Sequence, residues 1–77
     1  MIATLWTLAM AEISKKLGQN IKRLRLRRHM TQGDMCRKLN MDRSYMSAIE
    51  GGKRNITLGV LEKLAAALRV SVSELLK

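Results

Sequence analysis

The chain has 77 residues, a net charge of +9, and no proline or phenylalanine. One domain is the expectation, and at this size it buries only ~60% of its unfolded surface. A single cysteine, Cys36, and a single histidine, His29, exclude a disulfide framework and a Cys/His zinc site. Helix packing or self-association must therefore supply the stability, and the lone thiol suits a reducing, cytoplasmic setting. One histidine, one cysteine and six scattered acids offer no nucleophile–base set, so neither an enzyme nor a cofactor is expected.

In chain order, MIATLWTLAM comes first. It is apolar but shorter than the ~20 residues that a membrane-spanning helix needs. Its lysines follow the apolar run, the reverse of a signal peptide. Met10 begins MAEISKKLG, an ordinary start for a small cytosolic protein. Residues 1–11 are therefore read as an apolar extension and residues 12–77 as the folded domain. Ile13, Leu17, Ile21 and Leu24 recur at spacings of four, four and three, which predicts a first helix over about 12–29.

Thr31 is a good N-cap for a second helix, with Asp34 favouring the positive end of the dipole. That helix runs to about Leu39 and buries Met35, Cys36 and Leu39. Gly33 inside it costs ~1 kcal/mol relative to alanine. Asn40 tolerates the left-handed conformation that opens a turn. Asp42 then caps a third helix over 43–50, which buries Met46 and Ile49.

Thr57 caps a fourth helix with Leu58, Leu61, Leu64, Ala65 and Leu68 inside. Ser71 caps a fifth, in which Glu74 completes a capping box. No window alternates with period two over a strand's length. An all-α, five-helix domain is the result.

Charge is uneven. Twelve basic residues face three acidic ones between positions 15 and 54, so the whole net charge of +9 lies there. That concentration favours a polyanion, nucleic acid or an acidic membrane surface, over a merely solvated surface.

The run TQGDMCRKLNMDRSYMSAIEGGKRN, residues 31–55, resembles the helix-turn-helix of the Cro/phage-repressor-like family of DNA-binding regulators. The matching features are TQ at 31–32, the apolar residues Met35, Leu39, Met41, Met46 and Ile49, the turn at Asn40, and IEGGKRN. SYMSAIE is similar to the family's SxxSxxE stretch, and LAAALRVSVSELL to its closing helices. MDRSYMSAIEGGKRNIT is also similar to controller proteins of restriction–modification systems. The resemblance covers about residues 17–76 and implies a compact lambda-repressor-like domain.

The turn sets the second helix across the DNA backbone and the third in the major groove. Arg43, Ser44, Ser47 and Ala48 are the candidate base-readers. Arg43 can bond guanine bidentately or simply meet a phosphate; Ala48 offers only a methyl to thymine. Gln32 opens the second helix, where its side chain and nearby amides can meet a phosphate at the positive helix end. Tyr45, Lys53, Arg54 and Asn55 match positions where the family touches phosphates, although Tyr45 also reads as a packing residue. Arg23, Arg27 and Arg28 are a solvated face adding long-range attraction. By the same resemblance, Arg25 and Glu50 form a structural ion pair. Cys36 stands where the family usually has alanine and reads as a buried thiol.

Residues 56–77 carry a net charge of only +1 and a second apolar line of Val60, Leu64 and Ala67. A dimer interface is expected from Val60, Leu64, Val72, Leu75 and Leu76, with residues 2–9 covering it. The implied function is a sequence-specific transcription regulator, binding a palindromic operator as a homodimer. The implied partners are double-stranded DNA, a second copy, RNA polymerase, and no membrane. A DNA-binding antitoxin that masks a protein partner is the alternative.

Overall fold

Good helix formers fill more than half of the positions, and the computed structural model, which describes residues 2–77 with side chains from residue 4 onward, is built from helices. They are α1 (Ile2–Arg27), α2 (Gln32–Leu39), α3 (Arg43–Glu50), α4 (Leu58–Leu68) and α5 (Val72–Leu76). No strand occurs among the described residues.

Helix α1 begins ten residues ahead of the expected start at about residue 12. The physical reason is local: residues 2–17 contain neither glycine nor proline, so nothing interrupts the helix upstream of the domain. It also stops two residues before the expected end. His29 adopts a positive φ of 57° there, with the His29 and Met30 amides bonded back to the Leu26 and Arg25 carbonyls. Asn40, Gly52 and Arg69 take the same left-handed conformation. The amide after each reaches back five residues, from Met41 to Cys36, Lys53 to Ala48, and Val70 to Ala65. All four interhelical joints thus satisfy the last helix carbonyls by one device, the Schellman turn.

The N-terminal caps are more varied. Thr31 and Asp34 form a full capping box: the Thr31 hydroxyl accepts from the Asp34 amide at 3.0 Å, and the Thr31 amide donates to Asp34 Oδ2 at 2.8 Å. Thr57 and Ser71 accept from the Val60 and Glu74 amides. The expected box at Ser71 is only half made, because the Glu74 carboxylate pairs with Lys77 Nζ at 2.7 Å. Asp42 occupies the cap position of α3 with extended backbone, but its side chain accepts no amide. The Ser44 hydroxyl donates to it instead.

The core is one cluster: Leu17, Ile21 and Leu24 of α1, Met35 and Cys36 of α2, Met46 and Ile49 of α3, Leu61, Leu64, Ala65, Ala67 and Leu68 of α4, and Leu75 of α5. Leu39 packs against its edge, only partly buried. Two expected core residues lie outside. Ile13 is 54% exposed because the elements facing α1 begin at the level of Ser14 and Lys15. Leu58 is 66% exposed, in the first turn of α4 before the core-facing row starts at Leu61.

Leu64 and Leu75 need a further correction. Both are completely buried within this chain, and Ala67 nearly so, so they present no surface to a second copy. Residues 61, 64, 65 and 68 form one i, i+3, i+4, i+7 stripe, which leaves no separate apolar line through Leu64. Trp6, in the extension, is 69% exposed.

Candidate nucleic-acid interface

A recognition helix must be buried on one side and polar on the other, and α3 meets this. Met46 and Ile49 are fully buried, while Arg43, Ser44 and Ser47 are exposed and Ala48 is half-buried. Arg43 stands exposed at the first helical position. Ser44 is partly committed, since its hydroxyl donates to Asp42. Its base-reading role would therefore use its acceptor lone pairs, or require that bond to break.

The angle between α2 and α3 is held by a buried polar clamp. Arg25 Nε donates to Glu50 Oε2 at 2.7 Å and Nη2 to Oε1 at 3.1 Å, a bidentate pair joining α1 to the end of α3. Arg25 Nη1 also donates to the Met30 carbonyl at 2.7 Å, fixing the turn into α2. Gln32 Nε2 completes the set with a 3.0 Å bond to Glu50 Oε1. Three helices thus meet on one carboxylate. Buried pairs like this contribute little over an apolar replacement, but removing one partner leaves an uncompensated charge at ~3–5 kcal/mol. For Gln32 this has a second consequence: one amide hydrogen is used internally, and the other is held at the start of α2.

The segment after α3 carries the other cations. Arg54 lies over the Tyr45 ring, 5.1 Å from its centroid, while Tyr45 itself packs partly buried against the core. Both readings of Tyr45 therefore describe one side chain, with its ring in the core's edge and its face under a guanidinium. Lys53 and Arg54 are exposed, and Asn55 accepts a 3.1 Å hydrogen bond from the Ser14 hydroxyl.

Several close contacts escaped the sequence reading. Gly18 lies where α1 crosses the end of α3, and a Cβ there would stand 2.3 Å from the Ile49 carbonyl oxygen. Gly52 has a φ of +72°, and its Cβ would come within 2.7 Å of Lys15 Cα. Asn20 Nδ2 donates to the Leu75 carbonyl at 2.9 Å, tying α5 to α1. The one available signal was a lone glycine inside an apolar-periodic helix, beside Leu17 and Ile21.

Asp34 and Arg37 form an exposed pair at 2.5 Å on the first turn of α2. The Thr31 amide, then the Thr31 hydroxyl and Arg37, hold the Asp34 carboxyl below its ordinary range. Cys36 is buried at the α2 side of the core. Among the described residues, no cluster of His, Cys, Asp or Glu could hold a metal ion, and no helix is long and apolar enough to cross a membrane.

Comparison with known proteins bears on this geometry. The family profile described as Helix-turn-helix matches residues 21–75. The control protein C.MunI of a Mycoplasma species is 39% identical over 67 residues, covering 86% of this chain and 90% of that protein. The crystal structure of the restriction–modification controller protein C.AhdI from Aeromonas hydrophila superposes with a TM-score of 0.75 at 36% identity, covering 79% of this chain and 92% of that one. The C.Esp1396I controller protein, solved as a tetramer with its natural 35 base-pair operator, gives 0.71 at 38% identity over 84% of this chain and 96% of that one. With a buried clamp that sets α2 against α3, an exposed outer row on α3, and this similarity along most of its length, the chain belongs to the Helix-turn-helix family.

Proposed function

We propose that the protein is a sequence-specific DNA-binding transcription regulator, acting as a homodimer on a palindromic operator in the manner of a restriction–modification controller. The observation that carries this is α3: an eight-residue helix, apolar beneath and polar above, with Arg43 at its exposed start. Net positive charge, concentrated between residues 15 and 54, supplies the attraction to phosphate. The similar proteins are control proteins, which favours a regulator over an enzyme or an antitoxin.

In this reading Arg43 reads a base, Ser47 and Ala48 line the same groove, and Ser44 contributes an acceptor. Gln32, Tyr45, Lys53, Arg54 and Asn55 position the domain on phosphates. Residues 12–77 form the DNA-binding and dimerisation unit, with residues 1–11 an appended arm. RNA polymerase is the partner through which a cytoplasmic regulator of this kind acts.

Selection of bound duplexes from a random library tests the reading. Enrichment of two inverted half-sites about one helical turn apart, ~34 Å, is expected. In that selected duplex Arg43→Ala weakens binding by ~1–3 kcal/mol and relaxes preference at one base pair. A library with no enriched sequence would remove the proposed function. Equal losses across all sequences would return Arg43 to the phosphate set.

A further inference from the structure

Ser14 is buried, and its hydroxyl donates to Asn55 Oδ1 across 41 residues of sequence. The bond does more than join α1 to the segment after α3. An amide has a donor end and an acceptor end, and only the donor end suits a phosphate. Because the Ser14 hydroxyl engages the oxygen, the Asn55 nitrogen keeps both of its hydrogens for another partner. Asn55 is exposed and follows Lys53 and Arg54, the cations of the same segment.

The two segments are held in register at this point by backbone contact. Gly52 lies against the Lys15 backbone, and Gly18 against the last carbonyls of α3. The first of these contacts is one residue from Ser14, so the hydroxyl is delivered to Asn55 by a close approach that only glycine permits.

Resting on the DNA-binding reading above, we propose that Ser14 is a positioning residue for phosphate contact: it turns the Asn55 amide so that its N–H donors, not its carbonyl oxygen, meet the DNA backbone. The residue itself never touches DNA. Without it the amide rotates freely and offers the backbone an oxygen about as often as a nitrogen.

The experiment compares full-length wild type, Ser14→Ala, Asn55→Ala, the double variant and Asn55→Asp on a duplex that the wild type has been shown to bind. Asn55→Ala is expected to weaken binding by about tenfold and Ser14→Ala by about twofold, the cost of an amide correctly turned half the time, with the double variant binding no more weakly than Asn55→Ala alone. Asn55→Asp keeps an acceptor for the Ser14 hydroxyl and so keeps its melting temperature. It binds more weakly than Asn55→Ala, because an anionic oxygen then faces phosphate.

Nuclear magnetic resonance supplies a readout that stability alone does not move: the Asn55 side-chain amide protons shift on duplex addition in the wild type and shift by a reduced amount in Ser14→Ala. Full additivity in the double variant overturns the proposal, as does a Ser14→Ala protein with wild-type affinity and an intact amide shift. A wild type that binds no duplex at all overturns the proposed function itself, and this inference with it.

Discussion

Two glycines on the DNA-binding half of the molecule, Gly18 and Gly33, have opposite reasons for being small. At Gly18 a methyl group would meet backbone oxygens of Ile49 and Glu50, which cannot give way without separating α1 from α3. Gly18→Ala is expected to destabilise by about 3 kcal/mol in chemical denaturation, the upper range of overpacking costs. At Gly33 the nearest atoms to an added Cβ are the flexible end of Arg37 at 3.4 Å and the Thr31 hydroxyl oxygen at 3.6 Å. Nothing in the packing of the chain explains this glycine. Gly33→Ala should therefore stabilise by ~0.5–1 kcal/mol through helix propensity, seen as a higher denaturation midpoint. A loss of stability in Gly33→Ala, or a neutral Gly18→Ala, would contradict the two environments. Both residues look alike in sequence, each a lone glycine in a helical pattern; only the crossing of α1 over α3 separates them.

Among the elements, α2 depends most on its cap. It has eight residues, too few to be stable in isolation, and it begins with the Thr31–Asp34 box. The Asp34 carboxyl, held below its ordinary range chiefly by the Thr31 amide, ionises more readily folded than unfolded. Its contribution is therefore present above the unfolded value of ~3.9 and is lost as the pH falls through the lower folded value. Urea denaturation of wild type and Asp34→Asn should differ by a constant amount near neutral pH, and the gap should close below about pH 4. A gap that persists in acid would mean that the carboxylate's charge is not what the cap uses. Glu74 is lowered in the same direction by Lys77, so part of the wild-type acid sensitivity remains in Asp34→Asn.

For the whole molecule, two surfaces matter: the basic one and the one around Val60, Val72 and Leu76. If Lys53 and Arg54 meet phosphates, the slope of log affinity against log salt should flatten by roughly 0.9 for each replaced by alanine. Unchanged slopes would take both out of the interface. A dimer interface on α4 and α5 would rest on fewer residues than the sequence suggested, because Leu64 and Leu75 are buried within the chain. Val60 and Val72 are half-buried against the core, and Leu76 is 50% exposed, so Leu76 is the residue whose change leaves the monomer fold least disturbed. Leu76→Glu is expected to sediment as a folded monomer that no longer binds the operator at wild-type concentrations. A wild type that is itself monomeric while bound tightly to one half-site would remove α4 and α5 from any interface. The longest dimension of the described chain, 42 Å, is close to the ~39 Å expected for the 26 residues of α1. The exposed Leu5, Trp6 and Leu8 lie on its N-terminal half.

What the sequence determined by itself is whatever depends on neighbours within a turn or two. The second, third and fourth helices lie where periodicity and cap residues put them, because both signals act between residues three or four apart; Asp42 marks the start of α3 although its side chain accepts no amide. The same locality let Asn40 announce the turn, and let the buried face of α3 define its exposed one. The Arg25–Glu50 pair was legible only through resemblance, since nothing in their spacing brings them together. The tertiary structure decided the rest. It buried Leu64 and Leu75, exposed Ile13 and Leu58, added Gln32 to the Glu50 clamp, and joined Ser14 to Asn55 and Asn20 to the Leu75 carbonyl. Each of these depends on where helices distant in sequence cross, and a crossing is set by the shape of two surfaces together, which neither segment specifies alone.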